Sequence, residues 1–510
     1  MEKYSLLDTN PYLVAAFILL PSFLFLSLLP TGVYRHFQHV GGILVEWRAV
    51  PTLVQDGYDK IIKGHTRPFV VNWWAKDYII LPPKYLADLK TAGWSHLSFF
   101  QNINDALFLG HTAGELYTAP AAERMVNVVK AGLNPQLPNL TPLMLDEIEY
   151  AFTHQLGEFE GWKEVTAMSF FSSIAHRLAT RFLIDEELCR DEKFLEVTQS
   201  FLNSIFITAL VIVKLPLGPF RRLFVWPLSR MQVWKKLQCA QILLPLVKSR
   251  MVARKEGAGK KLDAIEWTLE LLSAEKRCNT PEYITEELLY GLWAGSSAPG
   301  GMLTEILYQL LLSPQYLTPL REEAEGAVRQ HGWSEKMLND LLLLDSFIRE
   351  VNRLYPTGSV TCSRTVTGTP FKFSDGLELP VGARFGFPIK AMQSDPDMFT
   401  DPMAFDGFRF AQEGLSKDAK DSSHNDNPTK RAKLGATAMG TTNLAWGYGN
   451  HVCPGRFFAV REMKIVFAKL LIGFDVKWKN SSGRRPKPVH VEGQFIPNMS
   501  QKILLRRRRD

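Results

Sequence analysis

From Leu288 to Leu311 apolar pairs recur at helical spacing: Leu288-Leu289, Leu292-Trp293, Met302-Leu303, Ile306-Leu307 and Leu310-Leu311. Between the second and third pairs stands AGSSAPGG, Ala294 to Gly301, which holds a proline and glycines that disfavour a helix interior. Leu292 and Leu303 are nevertheless 11 positions apart, close to three turns at about 3.6 residues per turn. The stripe keeps its phase, so the spacing predicts one long buried helix with a weakened middle.

The chain around it has 510 residues, 46% hydrophobic and 22% charged, enough for a large core and, by length alone, about two to four domains. No repeat of 20–50 residues stands out, which argues against a solenoid. The formal net charge of +7 is spread along the chain apart from the terminal RRRRD, and favours an anionic membrane or an acidic partner over nucleic acid. Five scattered cysteines (Cys189, Cys239, Cys278, Cys362 and Cys453) include no CxxC pair, which points to a reducing compartment without a disulfide framework or structural zinc.

Thr9 to Tyr34 carries no charge, and PYLVAAFILLPSFLFLSLLPTGV is long enough to span a bilayer, for which about 20 residues suffice. A cleaved signal peptide would have a basic start and a shorter apolar run; here Glu2 and Asp8 outweigh Lys3. Residues 1–34 therefore read as an uncleaved single-pass anchor. Arg35, His36, His39 and Arg48 behind it keep the rest of the chain cytosolic by the positive-inside rule. The sequons at Asn139, Asn480 and Asn498 then go unused.

After the anchor, RPFVVNWWAKDYIILPPKYLADL reads as strands followed by a helix. Residues from about 100 to 350 are mostly helical, and short strands fill about 357 to 390. Ser204 to Met231 is strongly apolar with embedded Lys214, Arg221, Arg222 and Arg230. It reads either as a core helix with its loop, or as a second membrane-contacting surface with basic groups at the headgroups. Gln412 to Gly440 is a polar, charged surface loop, and a last helix is expected from about Ala459 to Gly473.

LAWGYGNHVCPGRFFAVREMKIVFAKLL sets Cys453 among Gly447, Gly449 and Gly455, directly before an amphipathic helix. Glycines let a backbone approach a flat object or adopt positive φ. A helix N-terminus aims N–H groups at a thiolate and lowers its pKa. A thiolate so held suits haem iron, and Arg456 can pair with a haem propionate.

Trp446-x-x-Gly449-x-x-x-Cys453-x-Gly455-Arg456-x-x-Ala459 resembles the haem-thiolate loop of the cytochrome P-450 family, with Trp446 in place of the usual Phe. FIREVNRLYP supplies Glu350 and Arg353 on one helical face, and FDGFRF supplies Arg409; these match the family's Glu-Arg-Arg network. The resemblance implies a mainly α fold with a small β region, behind one N-terminal transmembrane helix. It implies haem b (iron protoporphyrin IX) with Cys453 as axial ligand, Trp446, Gly447 and Arg456 around it, and Arg364 of CSRTV as a further propionate ligand. Glu350, Arg353 and Arg409 are then scaffold rather than chemistry. Residues 35–510 become one catalytic domain on the endoplasmic reticulum membrane. O2 and electrons from NADPH-cytochrome P-450 reductase serve a small lipophilic substrate. A basic face near Arg461, Lys464 and Lys469 is a candidate seat for that reductase. GWKEV, TRFLIDEELCR and CPGRFFAVREMK resemble fungal members that oxidise terpenoids or related secondary metabolites.

The weakened helix then crosses the distal side of the haem, opened by Pro299, Gly300 and Gly301 to admit oxygen and substrate. The family's acid and threonine, which organise water for proton delivery, are replaced here by Ser297 and Ala298. Ser296 and Ser297 are candidate proton-relay hydroxyls, or simply satisfy carbonyls freed by Pro299. The resulting expectation is a monooxygenase. Desaturation, dehydration or rearrangement is the alternative raised by Ala298, and a haem-binding protein without turnover a further one.

Overall fold

The computed structural model describes residues 32–41, 49–112, 123–214, 221–271, 280–411, 435–480 and 483–508. Residues 1–31 of the expected anchor, most of the polar loop after Gln412, and Cys278 lie outside these residues, whereas Tyr34 at the anchor's end is buried and accepts from the Arg384 N–H at 2.9 Å.

Strands β1 (Gln38–His39), β2 (Phe69–Trp73), β3 (Lys76–Ile80) and β4 (Leu97–Ser98) precede helix α1 (Phe99–Leu107). Helix α2 (Asn134–Leu156), strand β5 (Lys163–Thr166) and helices α3 (Ala167–Leu183), α4 (Glu192–Lys214), α5 (Arg221–Lys255), α6 (Pro281–Leu312), α7 (Leu317–His331) and α8 (Leu342–Leu354) follow. The chain returns through β6 (Thr361–Val366), β7 (Arg384–Phe387), α9 (Arg456–Gly473), β8 (Phe474–Trp478), β9 (Val489–Val491), β10 (Gln494–Ile496) and β11 (Lys502–Arg507). One sheet has the order β1-β2-β3-β7-β6-β4, a second β8-β11-β5, and β9 and β10 form a hairpin. A register shift in the β6–β7 pairing lies at Cys362, whose φ is +51°. The architecture is mainly helical with small sheets.

The in-phase stripe is one helix. Thr280 caps α6 by accepting from the Tyr283 N–H, with Pro281 at the first turn, and the helix runs unbroken through Pro299. Gly295 and Gly300 serve a close contact with α3. A Cβ on Gly300 would stand 2.7 Å from the Cα of Ser172 on α3, and one on Gly295 would stand 3.1 Å from Leu183. The two helices cross antiparallel at van der Waals contact, which a larger side chain would force apart. The weakness read from sequence is the cost of a tight crossing.

α9 is largely buried and carries a carboxyl that no described residue satisfies. Glu462 is 0% exposed and neither oxygen has a hydrogen-bond partner among the described residues. Burial pushes its pKa up to about 8, so the folded protein holds it neutral at pH 7. Because the folded value lies above the ordinary one near 4.5, this stability is present on the acid side and lost as pH rises through about 8. The wild type should therefore melt lower at pH 9 than at pH 6.5, with stability falling by about 1.4 kcal/mol per pH unit until the carboxyl ionises. Glu462→Gln should flatten that slope; equal slopes in thermal melts of the two proteins would remove Glu462 as its cause.

Candidate active site

The loop before α9 is built to present Cys453. The Trp446 indole Nε1 donates to the Ala436 carbonyl at 2.7 Å, and the Cys453 N–H donates to the Trp446 carbonyl at 2.8 Å. Gly447 and Gly449 have φ of +82° and +68°. At Gly449 a Cβ would also strike the Leu89 carbonyl oxygen at 2.6 Å, so glycine is required twice over. Burial pushes the Cys453 thiol up, while the Gly455 and Arg456 N–H groups and the Arg456 charge pull it down. A cation at the sulfur would complete the shift to thiolate. By contrast, the buried Cys189 and Cys239 thiols are pushed up to about 12. All four described cysteines are free.

Arg456 braces this loop: Nη1 donates to the Cys453 carbonyl at 3.0 Å and Nε to the Thr437 carbonyl at 3.3 Å. Arg364 is differently placed. It is 2% exposed, its Nη1 donates to the Ser363 carbonyl at 2.7 Å, and its Nε has no partner among the described residues. Burial lowers its pKa to about 10, which still leaves it charged at pH 7. His451 lies against Trp94, with ring centroids 3.9 Å apart, and neither ring nitrogen has a partner among the described residues. Burial first, then the charges of Arg364 and Lys130, lower its pKa to about 3, against the opposing pull of the Ala92 backbone, which lies near the ring without a well-formed hydrogen bond. A buried cation is costly unless an anion completes it, and the neutral His451 ring, within electrostatic reach of Arg364, offers that anion a second donor. The carboxylates of haem fit that requirement. Sequence reading missed His451, although it stands two residues before Cys453; no periodicity marks it.

Glu350 is 0% exposed and accepts from Arg353 Nε at 2.7 Å and Nη2 at 2.8 Å, from Arg409 Nε at 3.2 Å, and from the Asp406 N–H at 3.2 Å. Arg353 Nη1 also donates to the Gln393 and Pro402 carbonyls, and Arg409 Nη1 to the Thr400 carbonyl. α8 is wired to the cysteine loop as well, since the Ala436 N–H donates to Asp345 at 3.0 Å while the Ala436 carbonyl holds Trp446. The structure thus brings the three network residues together, beside the loop rather than in it.

The basic face on α9 is corrected. Arg461 pairs with Glu335, Lys464 is buried against Asp345 at 2.8 Å, and Lys469 pairs with Glu149 at 2.8 Å. Each charge is matched by a carboxylate that sequence spacing does not reveal, so no free basic patch stands there.

Beyond Glu282 in the first turn, the exposed positions of α6 are Ala294, Ser297 and Ala298, spaced i, i+3, i+4 on one face. Ser297 is on this face, and its hydroxyl reaches back to the Trp293 carbonyl at 3.4 Å. Ser296 is not. It is buried and faces α3, with Oγ 3.0 Å from Nδ1 of His176. Neither serine serves the Gly295 carbonyl that Pro299 deprives of its donor.

A mainly helical chain that presents a cysteine at a helix N-terminus beside uncommitted buried donors belongs by class with the haem-thiolate proteins. Residues 125–502 match the cytochrome P-450 family, and the chain belongs to it. It is 36% identical over 455 residues to cytochrome P-450 monooxygenase sirB of Leptosphaeria maculans, covering 89% of this chain and 85% of that one. It is 28% identical over 470 residues to an ent-kaurene oxidase of Gibberella intermedia, covering 90% and 83%. The fold superposes on the retinoic acid-bound cyanobacterial CYP120A1 with a TM-score of 0.62 at 18% identity, covering 92% and 99%. The protein is accordingly a monooxygenase of this family, an oxidoreductase with a haem-iron cofactor.

Proposed function

We propose that the enzyme hydroxylates a lipophilic secondary metabolite of terpenoid type, using haem b held by Cys453. The observation that carries the cofactor reading is the pair of uncommitted buried groups, Arg364 and His451, beside the cysteine loop. When bound, haem supplies the activation of O2 and the oxidation of the substrate C–H bond. Arg364 and His451 hold its carboxylates, Trp446 and Gly447 shape the loop, Arg456 braces it, and Glu350, Arg353 and Arg409 keep α8 in place. Ser297 is the hydroxyl on the accessible face of α6 and so the candidate to steady water for proton delivery. A second reading, desaturation or rearrangement, draws support from Ala298 on that face and from the Ser297 hydroxyl turned back on its own helix. The similarity to an ent-kaurene oxidase supports a terpenoid substrate.

Co-expression with NADPH-cytochrome P-450 reductase and a panel of terpenoid precursors under labelled O2 tests the reaction. Label in the product supports hydroxylation. Substrate-dependent conversion without label favours the second reading, and no conversion across the panel counts against both. Ser297→Ala should raise the peroxide released per NADPH; unchanged coupling removes Ser297 from proton delivery.

Residues 1–34 anchor the catalytic domain, residues 35–510, to the cytosolic side of the endoplasmic reticulum membrane. Support for contact with lipid comes from α5, which exposes Leu223, Phe224, Trp226, Met231, Trp234 and Leu237, with Arg230 5.4 Å from the Trp226 ring. The neighbouring α4 also exposes Ile207 and Val211, and 44% of its apolar stretch is buried. Lys214 does not serve headgroups, because it pairs with the buried Glu492. Tryptophans flanked by a basic group suit the bilayer interface. Residues 1–34 contain no tryptophan, so brominated acyl chains in phosphatidylcholine–phosphatidylserine vesicles should quench chiefly Trp226 and Trp234. Trp226→Phe/Trp234→Phe should remove most of that quench; an unchanged quench would place this face in water.

A further inference from the structure

The stretch of α6 from Ala294 to Gly301 is its weakest by composition. Pro299 removes one ladder hydrogen bond and the glycines add backbone freedom. It nevertheless carries the accessible face. What holds it lies on the opposite side, in α3. Ser172, His176, Ala179 and Leu183 form one stripe of that helix, and they meet Gly300, Ser296 and Gly295 in antiparallel order. In the middle of the crossing, at 3% exposure, sits the His176 imidazole.

Both of its nitrogens are committed. Nδ1 is 3.0 Å from Ser296 Oγ on α6, and Nε2 is 2.9 Å from Thr198 Oγ1 on α4. Thr198 already donates its hydroxyl hydrogen to the Phe194 or Leu195 carbonyl, at 2.7 and 3.1 Å. It must therefore accept from His176 Nε2–H, which leaves Nδ1 bare to accept from the Ser296 O–H. Burial and the neighbouring Arg177 charge keep the ring neutral. The chain Ser296 to His176 to Thr198 ends on a backbone carbonyl of α4, so it has no outlet for a proton. It is a mechanical link among three helices.

We propose that His176 is a positioning residue of this enzyme: Thr198 of α4 fixes its tautomer, and its Nδ1 holds Ser296 of α6 to α3 and so sets where Ser297 and Ala298 stand over the reacting site. This rests on the haem reading above and on the accessible face of α6 as the reacting face. At 3% exposure, with both ring nitrogens bonded to side chains, His176 presents no surface to a substrate. Its effect passes through Ser296, which is adjacent to Ser297 on a segment that lacks one of its own hydrogen bonds. Small displacements of groups that line a reaction site are costly to rate and coupling.

The two arms separate by substitution in the full-length holoenzyme. His176→Asn keeps an acceptor at the level of Nδ1, and His176→Gln keeps a donor at the level of Nε2. Three readouts apply: amide hydrogen exchange of the peptide spanning 290–303, the Kd of 1-phenylimidazole from Soret titration, and peroxide released per NADPH with reductase. Ser296→Ala and His176→Gln should each speed exchange in that peptide and weaken 1-phenylimidazole about fivefold, as loss of one buried hydrogen bond would. Their combination should be no worse than either alone, and His176→Asn should stay within about twofold of wild type. The proposal is overturned if Ser296→Ala and His176→Gln lower only the melting temperature, or if their effects add, or if Asn and Gln behave alike. Failure of the haem reading shows separately, as a wild type without the thiolate-type Soret band in its reduced carbon-monoxide complex.

Discussion

Cys453→Ala should abolish the thiolate-type Soret band of the reduced carbon-monoxide complex and take turnover to background. Cys189→Ala, Cys239→Ala and Cys362→Ala should leave the band in place. The distinction is electrostatic. Cys189 and Cys239 sit where burial pushes a thiol up to about 12. At Cys453 the N–H groups of Gly455 and Arg456, together with the Arg456 charge, oppose burial and face the sulfur. Among the described cysteines, Cys362 also has an arginine charge opposing burial, but it lies in a strand, and Cys453 is the one whose sulfur faces the N–H groups of a helix N-terminus. Difference spectra of the four variants decide it, and a band that survives in Cys453→Ala would assign the ligand elsewhere.

Glu350→Ala should have the second large effect, about 3–5 kcal/mol of lost stability, with most of the protein recovered free of haem. Glu350 accepts from Arg353, Arg409 and a backbone N–H at 0% exposure, so its removal strands two guanidinium groups. Arg353 is itself only 3% exposed and cannot reach water without unfolding its surroundings. The loss should propagate to the cysteine loop, because α8 holds Ala436 through Asp345, and Ala436 holds Trp446. Denaturant melts and the haem-to-protein absorbance ratio measure the two parts. A variant that binds haem normally and melts within about 1 kcal/mol of wild type, the scale of an ordinary surface change, would remove the network from haem retention.

The features legible without coordinates are those whose information is local. The continuity of α6 follows from apolar spacing at 3.6 residues per turn, which survives Pro299 because phase is a property of neighbouring positions. Strands in the segment of β2 and β3 are legible in its β-type residues, although their pairing and continuous burial are not, and the cysteine loop follows from glycines and a helix start packed into the few positions from Trp446 to Arg456. Glu350 and Arg353 share a face because they are one turn apart.

What the tertiary structure decided is pairing across distance. Ser296 and Ser297 are equivalent as residue types, but one step along a helix turns a side chain by about 100°. That rotation puts Ser296 against His176, 120 positions away in sequence, and Ser297 on the accessible face. Arg364 comes within electrostatic reach of His451 only when β6 lies beside the cysteine loop, and Arg461, Lys464 and Lys469 lose their apparent freedom to Glu335, Asp345 and Glu149. Periodicity and motif spacing record which face a residue shares with its near neighbours. The partner that face meets is selected by the packing of the whole chain, and a charge or hydroxyl has no defined role until that partner is in place.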